Sequence, residues 1–131
     1  MQIDQLNHYQ KKLAYEMDSW DLSVALKQDE NVVVVDGRSA EAYELEHISG
    51  AISLCHKDIN VHATENLDKS VVYVCYCDGI GCNGSTKTAM KLLTLGFQVK
   101  ELIGGLDWWK RDGHSTSGVE GRAATGESCG C

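Results

Sequence analysis

The sequence predicts an α/β protein with a mostly parallel central sheet. Val32-Val33-Val34-Val35 is a β-branched run without polar alternation, which is typical of a strand buried on both faces. Apolar strand-like segments alternate with helical segments along the chain, and this order favours parallel strands joined by helices. The length of 131 residues fits one compact domain, in which about two-thirds of the unfolded surface is buried.

Each predicted element has its own signal. Asp18 or Ser19 suits the N-cap of a second helix that ends at Asn31, and Ser39 suits the N-cap of a third. The predicted helices cover residues 3–17, 19–31, Ala40–Leu45, Ser85–Leu95 and Leu106–Arg111. The predicted strands are Val32–Val35, Ala51–Leu54, Val71–Cys75 and Val99–Ile103.

These elements divide the chain into three parts. Residues 1–18 form an N-terminal helical extension, and residues 19–113 form the domain. Residues 114–131 are rich in Gly and Ser and predict a flexible tail, which ends in Cys129-Gly130-Cys131.

Charge and composition exclude several classes of function. The chain carries 12 Lys and Arg against 19 Asp and Glu, so it offers no basic surface for nucleic acid or anionic membranes. No segment approaches the roughly 18 apolar residues of a membrane helix, and the N-terminus lacks the apolar core of a signal peptide. We therefore expect a cytoplasmic monomer or homodimer. Its six cysteines are then reactive or metal-binding rather than a disulfide framework.

The strongest chemical signal lies where a strand meets a Gly-rich loop. Cys77 ends the strand, Asp78–Gly84 contains three glycines, and a helix begins at Ser85. Backbone N–H groups of such a loop and the helix dipole stabilise a thiolate. Cys75, two residues earlier, is predicted to be a small core residue.

Three other interpretations of this segment are weaker. Gly79–Gly84 reads G-x-G-x-x-G, but Glu101 lies inside the next strand rather than at its end, and too little chain follows for a dinucleotide-binding fold. A phosphate-binding P-loop lacks its lysine, because Ser85 stands at that position. A metal site lacks the usual C-x-x-C pair. We expect no metal and no organic cofactor.

Several motifs in order resemble the rhodanese family. They are Val32–Ser39 with its Asp-Gly-Arg-Ser, His47–Ile52, Val72–Cys77, and Gly104–Trp109 with its double Gly and Trp. The resemblance covers about residues 19–113 and implies a three-layer α/β/α fold with about five short strands. It also implies a sulfurtransferase, which moves sulfane sulfur from a donor such as thiosulfate to cyanide or a thiol through a cysteine persulfide.

By position, the resemblance makes Cys77 the persulfide carrier, with Cys82 as the alternate. The active-site loop comprises Asp78, Gly79, Ile80, Gly81, Cys82, Asn83, Gly84 and Ser85. The loop is two residues longer than usual and has no Arg, so Lys87 is the nearest cation for an anionic donor. Arg38 either lines the donor site or forms a structural ion pair with Asp36.

The additional thiols leave two hypotheses open. Cys82, Cys129 and Cys131 are candidate resolving thiols, which attack a persulfide on Cys77 and leave a disulfide. Alternatively, the chain is a non-catalytic or redox-sensing module of the same fold, with a Cys77–Cys82 disulfide as its signal.

Overall fold

The computed structural model of the chain describes residues 3–28 and 31–125, in which helices and strands alternate. The strands are β1 (Glu16–Met17), β2 (Val32–Asp36), β3 (His47–Ile48), β4 (Ile52–Ser53), β5 (Val72–Tyr76), β6 (Gln98–Leu102) and β7 (Thr116–Ser117). The helices are α1 (Ile3–Tyr15), α2 (Ser19–Lys27), α3 (Ala40–Leu45), α4 (Gly84–Thr94) and α5 (Gly105–Arg111), and a 3₁₀ turn covers His56–Asp58.

Five strands form one parallel sheet in the order β1-β6-β5-β2-β4, which confirms the predicted class. The strand β5 lies in the middle, between β2 and β6. All the strands point the same way, so the end of β5 lies at the centre of the carboxyl edge. In parallel α/β sheets this edge carries the ligand sites.

Two apolar cores cover the two faces of the sheet and make the three layers. Side chains of β5 alternate between them: Val74 and Tyr76 join the core under α2 and α5, while Tyr73 and Cys75 join the core under α4. The same alternation continues to Cys77, the residue after Tyr76, and places it on the α4 side of the sheet.

The N-terminal helix is shorter than predicted. It ends at Tyr15, and Glu16–Met17 pairs with Glu101 and Leu102 as the edge strand of the sheet. The next helix also ends early, at Lys27 instead of Asn31. A strand of two residues has no alternation to detect, and its pairing depends on a partner more than eighty residues away. None of the described helices is long and apolar enough to span a bilayer.

The segment after residue 113 also differs from the expected flexible tail. As far as residue 125 it packs on the domain, because β7 pairs antiparallel with β3 and Thr116 is buried. The Thr116 hydroxyl donates to the buried Glu46 carboxylate at 2.6 Å, and Lys110 lies 2.8 Å from the same carboxylate. Gly/Ser-rich composition does not reveal such a polar anchor. Cys129 and Cys131 lie outside the described residues.

This anchor makes the stability depend on pH. Burial opposes the charged Glu46 carboxylate, but the hydrogen bonds from Lys110 and Thr116 outweigh it and lower the pKa of Glu46. A lowered pKa stabilises the fold above the unfolded-state pKa, and the contribution disappears as the pH falls through the folded-state pKa. Glu46→Gln is therefore expected to cost about 2 kcal/mol of unfolding free energy at neutral pH.

Urea unfolding of wild type and Glu46→Gln checks this expectation. The difference between the two proteins should be larger at pH 7 than at an acidic pH, because it shrinks as the pH falls through the lowered folded-state pKa of Glu46. An equal difference at both pH values would show that Glu46 acts through packing rather than through its charge.

Candidate active site

The Cys77 side chain lies at the carboxyl end of β5 and is joined to Cys82 by a disulfide bond. Only 5% of Cys77 is exposed, whereas Cys82 is half-buried. The loop between them folds back on itself, because the Cys82 N–H donates to the Gly79 carbonyl oxygen at 3.2 Å. The two cysteines that the sequence offered as alternate carriers are therefore adjacent in space.

The start of the loop is fixed to α5. The Cys77 carbonyl oxygen accepts a hydrogen bond from the Leu106 N–H at 3.0 Å, and the Asp78 carbonyl oxygen accepts one from Asp107 at 2.8 Å. Gly105 has φ of +57° and lies directly against the Cys77 carbonyl, where a side chain would clash. The double glycine of the Gly104–Trp109 motif thus lets α5 approach the reactive loop.

The N-terminus of α4 points at the two sulfur atoms. Gly84, its first residue, donates its N–H to Cys82 Sγ at 3.4 Å. A Cβ added at Gly84 would lie 2.9 Å from Cys77 Sγ, so glycine lets the helix end approach both sulfurs. The N–H groups at the start of a helix lack carbonyl partners within the helix, and together with the helix dipole they make this a favourable environment for a sulfur anion.

Two clefts reach the disulfide from opposite sides. The cleft on the β6 side has a volume of about 650 Å³ and is bordered by Glu101. The Glu101 carboxylate accepts hydrogen bonds from the Ser85 and Thr86 hydroxyls at 3.3 and 3.0 Å. The cleft on the β2 side has a volume of about 280 Å³. Both clefts are lined by Cys77 and Cys82, so the loop is accessible from two directions.

The β2-side cleft is the cationic one. His56 and Lys57 line it, and the Lys91 ammonium donates to the His56 carbonyl oxygen at 2.6 Å. Burial lowers the pKa of His56, and the charges of Lys87, Lys91 and Lys57 lower it further. At neutral pH the imidazole is therefore neutral, beside three lysines. Lys87 was predicted from the sequence as a cation near the site.

Residues 55–57 also contribute to this cleft, and the sequence does not predict it. Cys55, a free and half-buried cysteine, lines the cleft together with His56 and Lys57. These residues follow β4, and the parallel pairing of β4 with β2 brings them to the carboxyl edge. No motif in the sequence links residues 55–57 to the loop twenty residues later.

Arg38 forms the structural ion pair that was one of its two predicted roles. Its guanidinium lies 2.7 Å from the buried Asp36 carboxylate and 3.0 Å from the exposed Asp78. Burial opposes the charge of Arg38, but the contacts with Asp36 and Asp78 outweigh it and raise the pKa of the guanidinium. Arg38 borders the β2-side cleft with its charge already compensated.

The neighbouring cysteine, Cys75, is a core residue, as the sequence predicts. It is completely buried, and burial together with the Glu101 charge raises the pKa of its thiol to about 12. Within residues 3–28 and 31–125, no three His, Cys, Asp or Glu side chains are grouped as ligands for a metal ion.

Comparison with known proteins assigns this chain to a family. Residues 20–112 match the rhodanese-like domain. The chain belongs to the rhodanese-like domain family. A thiosulfate sulfurtransferase, GlpE, of Coxiella burnetii is 35% identical over 103 residues, which cover 77% of this chain and 88% of that protein.

Solved structures agree with this assignment. A crystal structure of a Bacillus halodurans protein superimposes with a TM-score of 0.86 at 46% identity, covering 90% of this chain and 87% of that one. A solution structure of a rhodanese-like domain from Anabaena gives a TM-score of 0.72 at 29% identity, covering 86% of each chain. In this rhodanese-like domain, the strand, loop and helix around Cys77 lie within the matched segment.

Proposed function

We propose that this rhodanese-like domain is a sulfurtransferase, which moves sulfane sulfur from a donor such as thiosulfate to cyanide or a thiol through a persulfide on Cys77. One observation carries the proposal. The Cys77 side chain lies at the end of the middle strand, against the N-terminus of α4 and open to two clefts. The thiosulfate sulfurtransferase relative supports the same reaction class.

The reaction consists of two displacements. The Cys77 thiolate attacks the outer sulfur of thiosulfate, a new sulfur–sulfur bond forms, and sulfite leaves with the electron pair of the broken bond. Cyanide or a thiolate then attacks the terminal sulfur of the persulfide and releases the Cys77 thiolate. The group on Cys77 is an anion at every stage: a thiolate before the first displacement, a persulfide anion between the two, and a thiolate again after the second. The N–H groups and dipole at the start of α4 suit such an anion throughout.

The cationic cleft suits the entry of the donor. Thiosulfate is a dianion, and the positive field of Lys57, Lys87 and Lys91 raises its local concentration. The β6-side cleft carries the Glu101 carboxylate instead and is less favourable for a dianion. We propose that the donor enters past Lys57 and Lys87.

The cycle begins with reduction of the disulfide. A Cys77 that is bonded to Cys82 has no thiolate to attack a donor. We therefore propose that the protein works in a reducing compartment such as the cytoplasm, where thiol systems keep cysteines reduced.

The disulfide also favours a second candidate, a redox-sensing module. In this case the Cys77–Cys82 disulfide is the signal itself, and the reduced protein takes up no sulfane sulfur on Cys77. The two candidates differ in what thiosulfate does to the reduced thiols.

Mass spectrometry of two variants tests the proposal. Reduced Cys82→Ser is expected to gain one sulfur atom from thiosulfate, mapped by proteolysis to the fragment that contains Cys77. Reduced Cys77→Ser is expected to gain none. Sulfur on Cys77→Ser but not on Cys82→Ser would make Cys82 the carrier. Sulfur on neither variant, with loss of two hydrogens from oxidised wild type, would favour the redox sensor.

A further inference from the structure

We propose that Cys82 is the resolving thiol of a second reaction, in which the persulfide on Cys77 is converted into free hydrosulfide. The chain would then be a sulfide-releasing enzyme that consumes a dithiol reductant, in addition to a transferase that needs an acceptor. This inference rests on the proposed function, because it requires a persulfide on Cys77.

The geometry supplies the attacking thiol. Cys82 Sγ is bonded to Cys77 Sγ, with the two Cα atoms 6.1 Å apart. The hydrogen bond from Cys82 N–H to the Gly79 carbonyl closes the loop, and the Gly84 N–H contacts Cys82 Sγ from the start of α4. In the disulfide-bonded state, Cys77 directly follows β5 and Gly84 begins α4. A thiol at residue 82 is therefore within reach of Cys77 Sγ, the atom that it attacks in the proposed reaction.

The chemistry is balanced without an outside oxidant. The Cys82 sulfur attacks Cys77 Sγ, the bond between the two cysteine sulfurs forms, and the bond from Cys77 Sγ to the terminal sulfur breaks. The terminal sulfur leaves as hydrosulfide, with the electron pair of the broken bond and the proton of the Cys82 thiol. The terminal sulfur is reduced by two electrons, and the two cysteines are oxidised to the disulfide. Hydrosulfide is the anion of a stronger acid than an ordinary thiol, so it leaves readily.

The exposure of the two cysteine residues sets the direction of the resetting step. Cys77 is 5% exposed, whereas Cys82 is half-buried, so a dithiol reductant reaches the Cys82 sulfur first. Its thiolate bonds to Cys82 and expels the Cys77 thiolate. The second thiol of the reductant then frees Cys82, and the reductant leaves as its own disulfide. Cys77 is thereby returned to the thiolate state that attacks the next donor molecule.

A single-turnover experiment tests the proposal. Wild type and Cys82→Ser are reduced with dithiothreitol, desalted without air, and mixed with thiosulfate but no cyanide. Sulfite release reports the loading of Cys77, and hydrosulfide release reports the second reaction. Wild type is expected to release about one equivalent of each and to finish two hydrogens lighter than the reduced protein. For each equivalent of sulfite released, Cys82→Ser is expected to release hydrosulfide roughly 100-fold more slowly than wild type or not at all.

The tail cysteines provide the matched control, because they are the other candidate resolving thiols. The double variant Cys129→Ser/Cys131→Ser is expected to release hydrosulfide like wild type. Hydrosulfide release that persists in Cys82→Ser, or that is lost in the tail variant instead, would overturn the role of Cys82. No sulfite from any of the proteins would mean that the proposed function itself has failed. Addition of cyanide to loaded Cys82→Ser should yield thiocyanate, which shows that the sulfur not released as hydrosulfide is still held on Cys77.

Discussion

Cys77→Ser is expected to lower the rate at which the reduced protein forms thiocyanate from thiosulfate and cyanide by at least about 1000-fold. A serine hydroxyl occupies the same position at the end of β5 but stays protonated at neutral pH, and oxygen does not form the sulfur–sulfur bond that stores the transferred atom. The amides at the start of α4 would then face a neutral group. Positioning alone does not replace the nucleophile.

The matched control is Cys75→Ala, which lies within β5, two residues before Cys77 and on the same side of the sheet. Cys75 is fully buried, and the pKa of about 12 keeps its thiol protonated at neutral pH. Its loss is expected to leave the rate per folded molecule within about twofold of wild type, with a destabilisation of about 1 kcal/mol from the small cavity.

Steady-state thiocyanate formation, with thermal unfolding of each variant, measures both effects. A Cys77→Ser protein that keeps a tenth or more of the wild-type rate would remove Cys77 from the reaction. A comparable loss in both variants would indicate that general disturbance of β5, rather than loss of a nucleophile, explains the result.

The sequence predicts the strands that are buried on both faces, because burial leaves a run of apolar residues. It does not predict the strands that form only through pairing with a partner distant in sequence. Val32–Val35 and Val71–Cys75 become β2 and β5 with shifts of one residue, because strands covered on both faces must be apolar throughout. β1 and β7 have two residues each, and partners distant in sequence hold them. Neither has a run long enough to show a period, so the sequence predicts a helix at residues 16–17 and a tail at residues 116–117.

The candidate site divides in the same way. Cys77, the Gly-rich loop and the helix beginning at Gly84 are contiguous, so the chain order itself indicates an anion-stabilising arrangement. The cationic wall is not contiguous with the loop: Lys57 reaches it only through the pairing of β4 with β2. Tertiary contacts also decide which neighbouring charges are compensated. The Arg38 guanidinium, for example, is paired with the buried Asp36 carboxylate.

The second large effect concerns stability. Asp36→Ala is expected to lower the free energy of unfolding by about 3–5 kcal/mol. The Asp36 carboxylate is completely buried and accepts hydrogen bonds from the Arg38 guanidinium at 2.7 Å and from the Tyr76 hydroxyl at 2.6 Å. The Arg38 side chain is only 9% exposed. Without Asp36, a largely buried cation loses its buried carboxylate partner, and the buried Tyr76 hydroxyl loses its acceptor.

Asp78→Ala provides the control, because Asp78 contacts the same guanidinium at 3.0 Å from the solvent side. Its side chain is 73% exposed, so water replaces most of the contact and the expected loss is below about 1 kcal/mol. Urea unfolding of the two variants thus compares a buried and an exposed partner of one cation. Equal losses would contradict the importance of burial.

A double variant separates the ion pair from the packing of Asp36. If the loss in Asp36→Ala arises from the uncompensated Arg38 charge, then Asp36→Ala/Arg38→Met should be destabilised by less than the sum of its two single variants. Asp36 lies close to the reactive loop, because the next residue, Gly37, donates its N–H at 3.0 Å to the carbonyl oxygen of Tyr76, which precedes Cys77. Additive losses would mean that Asp36 and Arg38 stabilise the end of β5 independently. The destabilisation of Asp36→Ala would then not arise from the charge of Arg38.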